Sequence, residues 1–290
     1  MTTARVARAV PGRTRPRRAR LSRARRWPRS LGRALRRALR ALLAAPLAIR
    51  IVALAIVVVA LWSVVNWTYQ VIRKPSELFF PVSGTLAKAP PETWRQYAPL
   101  FRRHATATIT PELLAALAQV EGSGDPVART YWRWNVAWNP FEVYRPASSA
   151  VGMYQITDPT FREARRYCVR DHVVREDECW FRSLYTRVLP SHAVEMTAAL
   201  LDRDVARTLE RRRIVTATPR QKHDLAAVIH LCGVGPGDDF ARRGFRLTPG
   251  QRCGDHEVAG YLARVNGMQR QFARLAAGES PSEPAWRRSW

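Results

Sequence analysis

A mainly α-helical domain behind a single N-terminal transmembrane helix is the fold class the sequence predicts. Three observations predict it. The 22 residues Ile51–Ile72 carry no charge. Beyond them, apolar side chains recur at helical spacing in several separate segments. The strict alternation that marks half-buried strands is scarce.

The first segment, residues 1–50, holds 16 arginines and no acidic residue; the first carboxylate is Glu77. Of the formal net charge of +25, the remaining 240 residues carry only +9. A like-charge block of this kind reads as a disordered interaction tail, in which Leu31–Leu43 offers a basic amphipathic helix for anionic lipid. As a helix, residues 51–72 would be about 33 Å long, enough for a hydrocarbon core of about 30 Å. Trp62, Trp67 and Tyr69 gather at its far end, at the depth where amphipathic aromatics meet headgroups. Arginine concentrated before the span places the tail in the cytoplasm and residues from about 73 onward outside, in the periplasm. The run is longer than a signal-peptide core and exits without an Ala-x-Ala site, so an uncleaved inner-membrane anchor is expected. Topology accounts for the arginines, and no nucleic-acid partner is expected.

Residues 73–105, with Pro75, Pro81, Pro90 and Pro91, read as an extended linker containing one short helix near Glu92–Arg102. Residues 106–276 make the candidate domain, of ordinary single-domain size. Its first helix starts at Thr110-Pro111, a capping threonine followed by proline at the first helical position. Leu113, Leu114, Leu117 and Val120 continue it, and Gly122 and Gly124 end it. Ser191–Arg207, Gln221–Cys232 and Glu257–Leu275 repeat the helical period. Residues 277–290, rich in Pro and Ser, read as a flexible tail.

Four cysteines, Cys168, Cys179, Cys232 and Cys253, all follow the anchor. In an oxidising compartment they imply two disulfides with three possible pairings. The nearest-neighbour pairing, 168–179 and 232–253, closes the shortest loops. No Cys-x-x-Cys and no zincin-spaced histidine pair is present, so neither metal nor cofactor is expected.

Glu121 shares a helix face with Leu114 and Leu117, in the last turn. Partial burial and the negative helix end both disfavour its charged form, as a general acid requires. Downstream, Gly152-Met153-Tyr154-Gln155 puts a glycine turn ahead of a helix start at Asp158-Pro159. Together these residues resemble the lytic transglycosylase family with the lysozyme-like (SLT) domain. That family carries a helix-ending glutamate, a Gly-Leu-Met-Gln-type turn, an Ala-Tyr-Asn-x-Gly-x-Gly segment and a late tyrosine. Glu121-Gly-Ser, Gly152–Gln155, Ile229-His-Leu-Cys-Gly-Val-Gly235 and Tyr261 stand in that order across Pro111–Phe272. Two positions depart from the pattern. His230 replaces the tyrosine and Leu231 the asparagine, so His230 either steadies the carboxyl or only packs at a helix end.

The resemblance implies a peptidoglycan-cleaving lyase in which Glu121 acts first as acid, then as base. Gly152, Met153, Tyr154, Gln155, His230 and Tyr261 would bind substrate. The bond cut would join N-acetylmuramic acid to N-acetylglucosamine, leaving a 1,6-anhydro end without consuming water. Asp125, Glu142 and Asp158 are the other carboxylates nearby, and none has a spacing that recommends it as a partner. Between Glu121 and Gly152, Trp132, Trp134, Trp138 and Phe141 either line a glycan cleft or pack the core. The alternatives are a hydrolytic muramidase and a non-catalytic glycan-binding component of an envelope machine for secretion or conjugation.

Overall fold

The computed structural model describes residues 27–278 except Phe80, Ser83, Asp177 and Glu178, and omits the side chains of residues 27–31 and Leu35. The flexible tail expected at 277–290 lies outside this range from 279 onward, as do the first 26 residues of the basic tail. The chain divides into two units at Val64/Val65.

In the first unit, helix α1 spans Trp27–Ala44, so part of the basic tail is helical where the sequence suggested an amphipathic stretch at Leu31–Leu43. Helix α2, Leu47–Arg73, starts within this unit and is long and apolar enough to cross a membrane. It exceeds the expected run by a turn at its start, where Arg50 turns its guanidinium onto the Ala45 carbonyl.

The second unit is mainly helical, with α3 Pro90–His104, α4 Pro111–Gly122, α5 Asp158–Ala164, α6 Pro190–Arg211, α7 Pro219–Cys232, α8 Val234–Arg242 and α9 Val258–Gly278. Helix α4 occupies its centre. Six consecutive residues, Leu113 to Ala118, are buried, so the helix is enclosed on all sides and not merely on one stripe. Thr110 caps it as its sequence implies, its hydroxyl accepting from the Leu113 N–H at 3.3 Å, with Pro111 next. Helix α3 covers one flank with Trp94, Tyr97 and Phe101, and Trp94 meets Phe272 of α9. Helix α7 has a complete capping box between Thr218 and Gln221.

Among the described residues the strands form three short antiparallel hairpins: β1 Trp132–Trp134 with β2 Tyr144–Pro146, β3 Cys168–Arg170 with β4 Val173–Arg175, and β5 Arg252–Cys253 with β6 His256–Glu257. Two or three residues are too few to show alternation, which is why the sequence pattern does not reveal them.

The segment expected as a linker, 73–105, is instead built into this unit. Asn66 and Gln70, on the last turns of α2, are buried and donate to the carbonyls of Tyr144 and Phe141. The turn Pro75–Phe79 inserts Glu77 completely, against Lys74 at 3.2 Å, Arg129 at 2.7 Å and the Trp132 indole N–H at 2.9 Å. Proline content alone suggests an extended chain; a buried carboxylate with two cations outweighs it.

The four cysteines pair at disulfide distance as 168–179 and 232–253, the shortest-loop pairing.

Candidate functional site

Helix α4 delivers Glu121 in its last turn. Ser123 then takes a left-handed conformation (φ 50°) and its N–H returns to the Ala118 and Gln119 carbonyls, closing the helix. This termination leaves the Glu121 side chain 18 % exposed at the domain surface while Leu114 and Leu117 below it are buried.

Two later elements converge on that carboxyl. Tyr261, in the first turn of α9, donates its hydroxyl to Glu121 Oε1 at 2.5 Å across 140 residues of chain. Burial first, then the Glu121 charge and this hydrogen bond, hold the Tyr261 phenol well above its ordinary value, so it remains a donor throughout the accessible pH range. His230, near the end of α7, places Nε2 3.7 Å from the same oxygen. That is beyond hydrogen-bond range, but close enough for attraction when the ring is protonated. Oε2 has no hydrogen-bond partner among the described residues, leaving it as the oxygen available to a ligand.

The Gly152–Gln155 turn lies against the end of α4. A Cβ on Gly122 would sit 2.8 Å from the Met153 Cα, so only glycine lets the helix end and the turn approach so closely. Gly152 has φ +81°, and a Cβ there would come within 2.3 Å of the Arg187 carbonyl oxygen. Gln155, also left-handed (φ 47°), donates its amide to the Gly152 and Ala128 carbonyls, which locks the turn. Of the six residues expected to bind substrate, Gln155 and His230 line one groove of about 380 Å³, and Tyr261 supports Glu121 from beneath. Met153 and Tyr154 point into the core and are fully buried, so they can offer a ligand backbone atoms alone. Gly152 contributes shape.

Leu231, Thr157, Met196, Glu163 and Asp204 line the same groove. Burial, then the neighbouring Glu163 charge, pushes the Asp204 carboxyl up to about 6. Neither acid was singled out from the sequence; their spacing on α5 and α6 carries no motif. The three nearby carboxylates weighed from sequence are engaged elsewhere. Asp125 accepts from the Gly84 and Val127 N–H groups, Glu142 pairs with Arg73, and Asp158 pairs with Arg187.

No protein-family model matches the chain, and no curated protein matches it in sequence.

One covalent feature ties the site together. The bridge 232–253 joins the end of α7, two residues after His230, to the β5–β6 hairpin that leads into α9 and Tyr261. It closes a loop with a sequence separation of 21, for which chain entropy gives about 3 kcal/mol of stabilisation. The double variant Cys232→Ser/Cys253→Ser is expected to melt roughly 6–12 °C lower by scanning fluorimetry. Any activity that depends on Glu121 should fall with it, because His230 and Tyr261 are then no longer held in common register.

Proposed function

We propose that this chain is a membrane-anchored peptidoglycan lytic transglycosylase, with its basic tail in the cytoplasm and its helical unit in the periplasm. The observation that carries the reading is the convergence on one carboxyl. Glu121, the Gly152–Gln155 turn, His230 and Tyr261 are far apart in sequence and stand in the order of the resemblance; Tyr261 and His230 reach the carboxyl, the turn packs against the end of its helix, and Gln155 and His230 line a groove.

The chemistry follows from a single acid. The protonated carboxyl of Glu121 gives its proton to the oxygen linking N-acetylmuramic acid to N-acetylglucosamine as the C1–O bond breaks. The resulting carboxylate takes the proton of the muramyl 6-hydroxyl while O6 bonds to C1. Glu121 ends protonated, as it began, and water enters nowhere. Two-carboxylate glycosidases need a second acid as nucleophile or water activator. Asp125, Glu142 and Asp158 are already bonded to other groups, and the groove acids Glu163 and Asp204 are ion-paired with Arg203, which favours the one-acid route. Tyr261 holds Oε1 and so fixes the plane of the carboxyl, while His230 stands where the family tyrosine would. Leu231 supplies no polar side-chain group for an N-acetyl group.

Digestion of purified sacculi by the detergent-solubilised full chain, followed by mass analysis, tests this directly. Anhydro-ended fragments are expected. Fragments heavier by one water would make the protein a hydrolytic muramidase, and intact sacculi would make it a non-catalytic wall-binding protein.

A further inference from the structure

The tip of the β1–β2 hairpin carries the two most exposed large apolar side chains among the described residues. Val136 and Trp138 are fully exposed, and Trp134 is largely so although it stacks on Tyr144 at 4.7 Å. The loop is not frayed. Asn135 donates to the Val143 carbonyl, the Asn139 side chain accepts from the Phe141 N–H, and the Asn139 carbonyl accepts from Glu142. A built loop thus holds a valine and a tryptophan out in solvent, which exposes apolar area at a cost unless something covers it.

Behind the tip, Arg133 and Arg145 are direct cross-strand partners, on the face opposite Trp132, Trp134 and Tyr144. Like charges in that register repel. Among the described residues no carboxylate pairs with either, so an anion from outside the chain would relieve them.

The position of the hairpin selects the partner. Its second strand and loop are bonded to the last turns of α2: Asn66 to Tyr144, Gln70 to Phe141, Arg73 to Glu142, with the Tyr69 and Phe141 rings 5.2 Å apart. Those turns follow directly on the apolar run and carry Trp67 and Tyr69, the aromatics of a headgroup-level belt. We infer that the Val136–Trp138 loop is a second membrane contact, which dips into the outer-leaflet interface while Arg133 and Arg145 meet lipid phosphates. Tryptophan suits that depth, having an apolar ring and one polar N–H. The consequence is orientation. A domain held at the bilayer by both a helix and a loop presents one fixed side to the wall. The inference rests on the membrane-anchored reading above.

The test uses the full chain reconstituted in phosphatidylethanolamine–phosphatidylglycerol vesicles containing acyl-brominated lipid, which quenches nearby indoles. Subtracting the spectra of Trp138→Phe and Trp62→Phe from that of the parent isolates the emission of each tryptophan. Both components are expected to be quenched and blue-shifted, Trp138 most by bromines near the headgroup end of the chain. Arg133→Ser/Arg145→Ser should weaken the Trp138 quenching in anionic vesicles and leave it unchanged in phosphatidylcholine. A Trp62 signal that is quenched beside a Trp138 signal that is red-shifted and unquenched overturns the inference and leaves the anchor standing. If neither is quenched, the anchor fails and the loop contact with it. A Trp138 signal indifferent to lipid but shifted by soluble glycan strands would overturn it in favour of a sugar subsite.

Discussion

Replacing Glu121 by glutamine is expected to lower the rate of glycan cleavage by roughly 10²–10⁴-fold, the contribution of a positioned general acid. That range corresponds to about 3–5 kcal/mol of transition-state stabilisation. Glutamine matches glutamate in size, and its carbonyl oxygen can still accept the Tyr261 hydroxyl, now 2.5 Å from Oε1. The melting temperature should therefore stay close to that of the parent, separating lost chemistry from lost fold. What glutamine cannot do is release a proton to the leaving oxygen or recover one from the 6-hydroxyl, so both halves of the reaction fail together. Binding of glycan strands should survive, since the groove from Gln155 and His230 to Asp204 is untouched. The measurement is muropeptide release from sacculi alongside a sacculus pull-down. Cleavage at the parental rate would remove Glu121 from the mechanism, and with it the reason for assigning this site.

The helix that carries Glu121 is legible from Thr110-Pro111 at one end and Gly122 at the other, since capping and chain reversal are local requirements. The pairing of the cysteines follows from loop length, again a chain-local property. The turn at Gly152 is signalled by its glycine, yet the reason for glycine is the Arg187 carbonyl 35 residues downstream, which no local pattern reports. The contact of Tyr261 with Glu121 spans 140 residues and was not legible: the ordered resemblance gave Tyr261 a place among the substrate-binding residues, not against the carboxyl. Burial of Met153 and Tyr154 was not legible either: an apolar pair in a turn reads equally as a ligand surface or as core, and the packing of α4 decides. The aromatic segment 131–144 was open between cleft and core. None of it is buried, and its second half is attached to the end of α2. Glu77 was missed altogether, because a lone acid in a proline-rich stretch looks like a solvated linker residue while its partners Arg129 and Trp132 lie more than fifty residues away.

That acid carries the second large expected effect. Glu77 is completely buried, and it is the anion shared by Lys74 and Arg129, whose side chains are themselves largely buried. Burial already holds the Lys74 ammonium below its ordinary value, with the Glu77 charge as the chief opposing influence. Glu77→Gln keeps the volume and removes the charge, leaving two buried cations to face one another. Breaking a buried pair in this way costs about 3–5 kcal/mol, which for a unit of this size lowers the melting temperature by roughly 6–20 °C. The damage should reach the site as well. Lys74 Nζ also donates to the Ser148 and Ala150 carbonyls, immediately before the Val151–Gly152 turn, so a displaced lysine loosens the loop that positions Gln155. Adding Arg129→Gln to Glu77→Gln removes one of the two cations that shared the lost charge, and the double variant should be less destabilised than the sum of the single ones. Additive losses across that cycle would mean that the two groups do not interact.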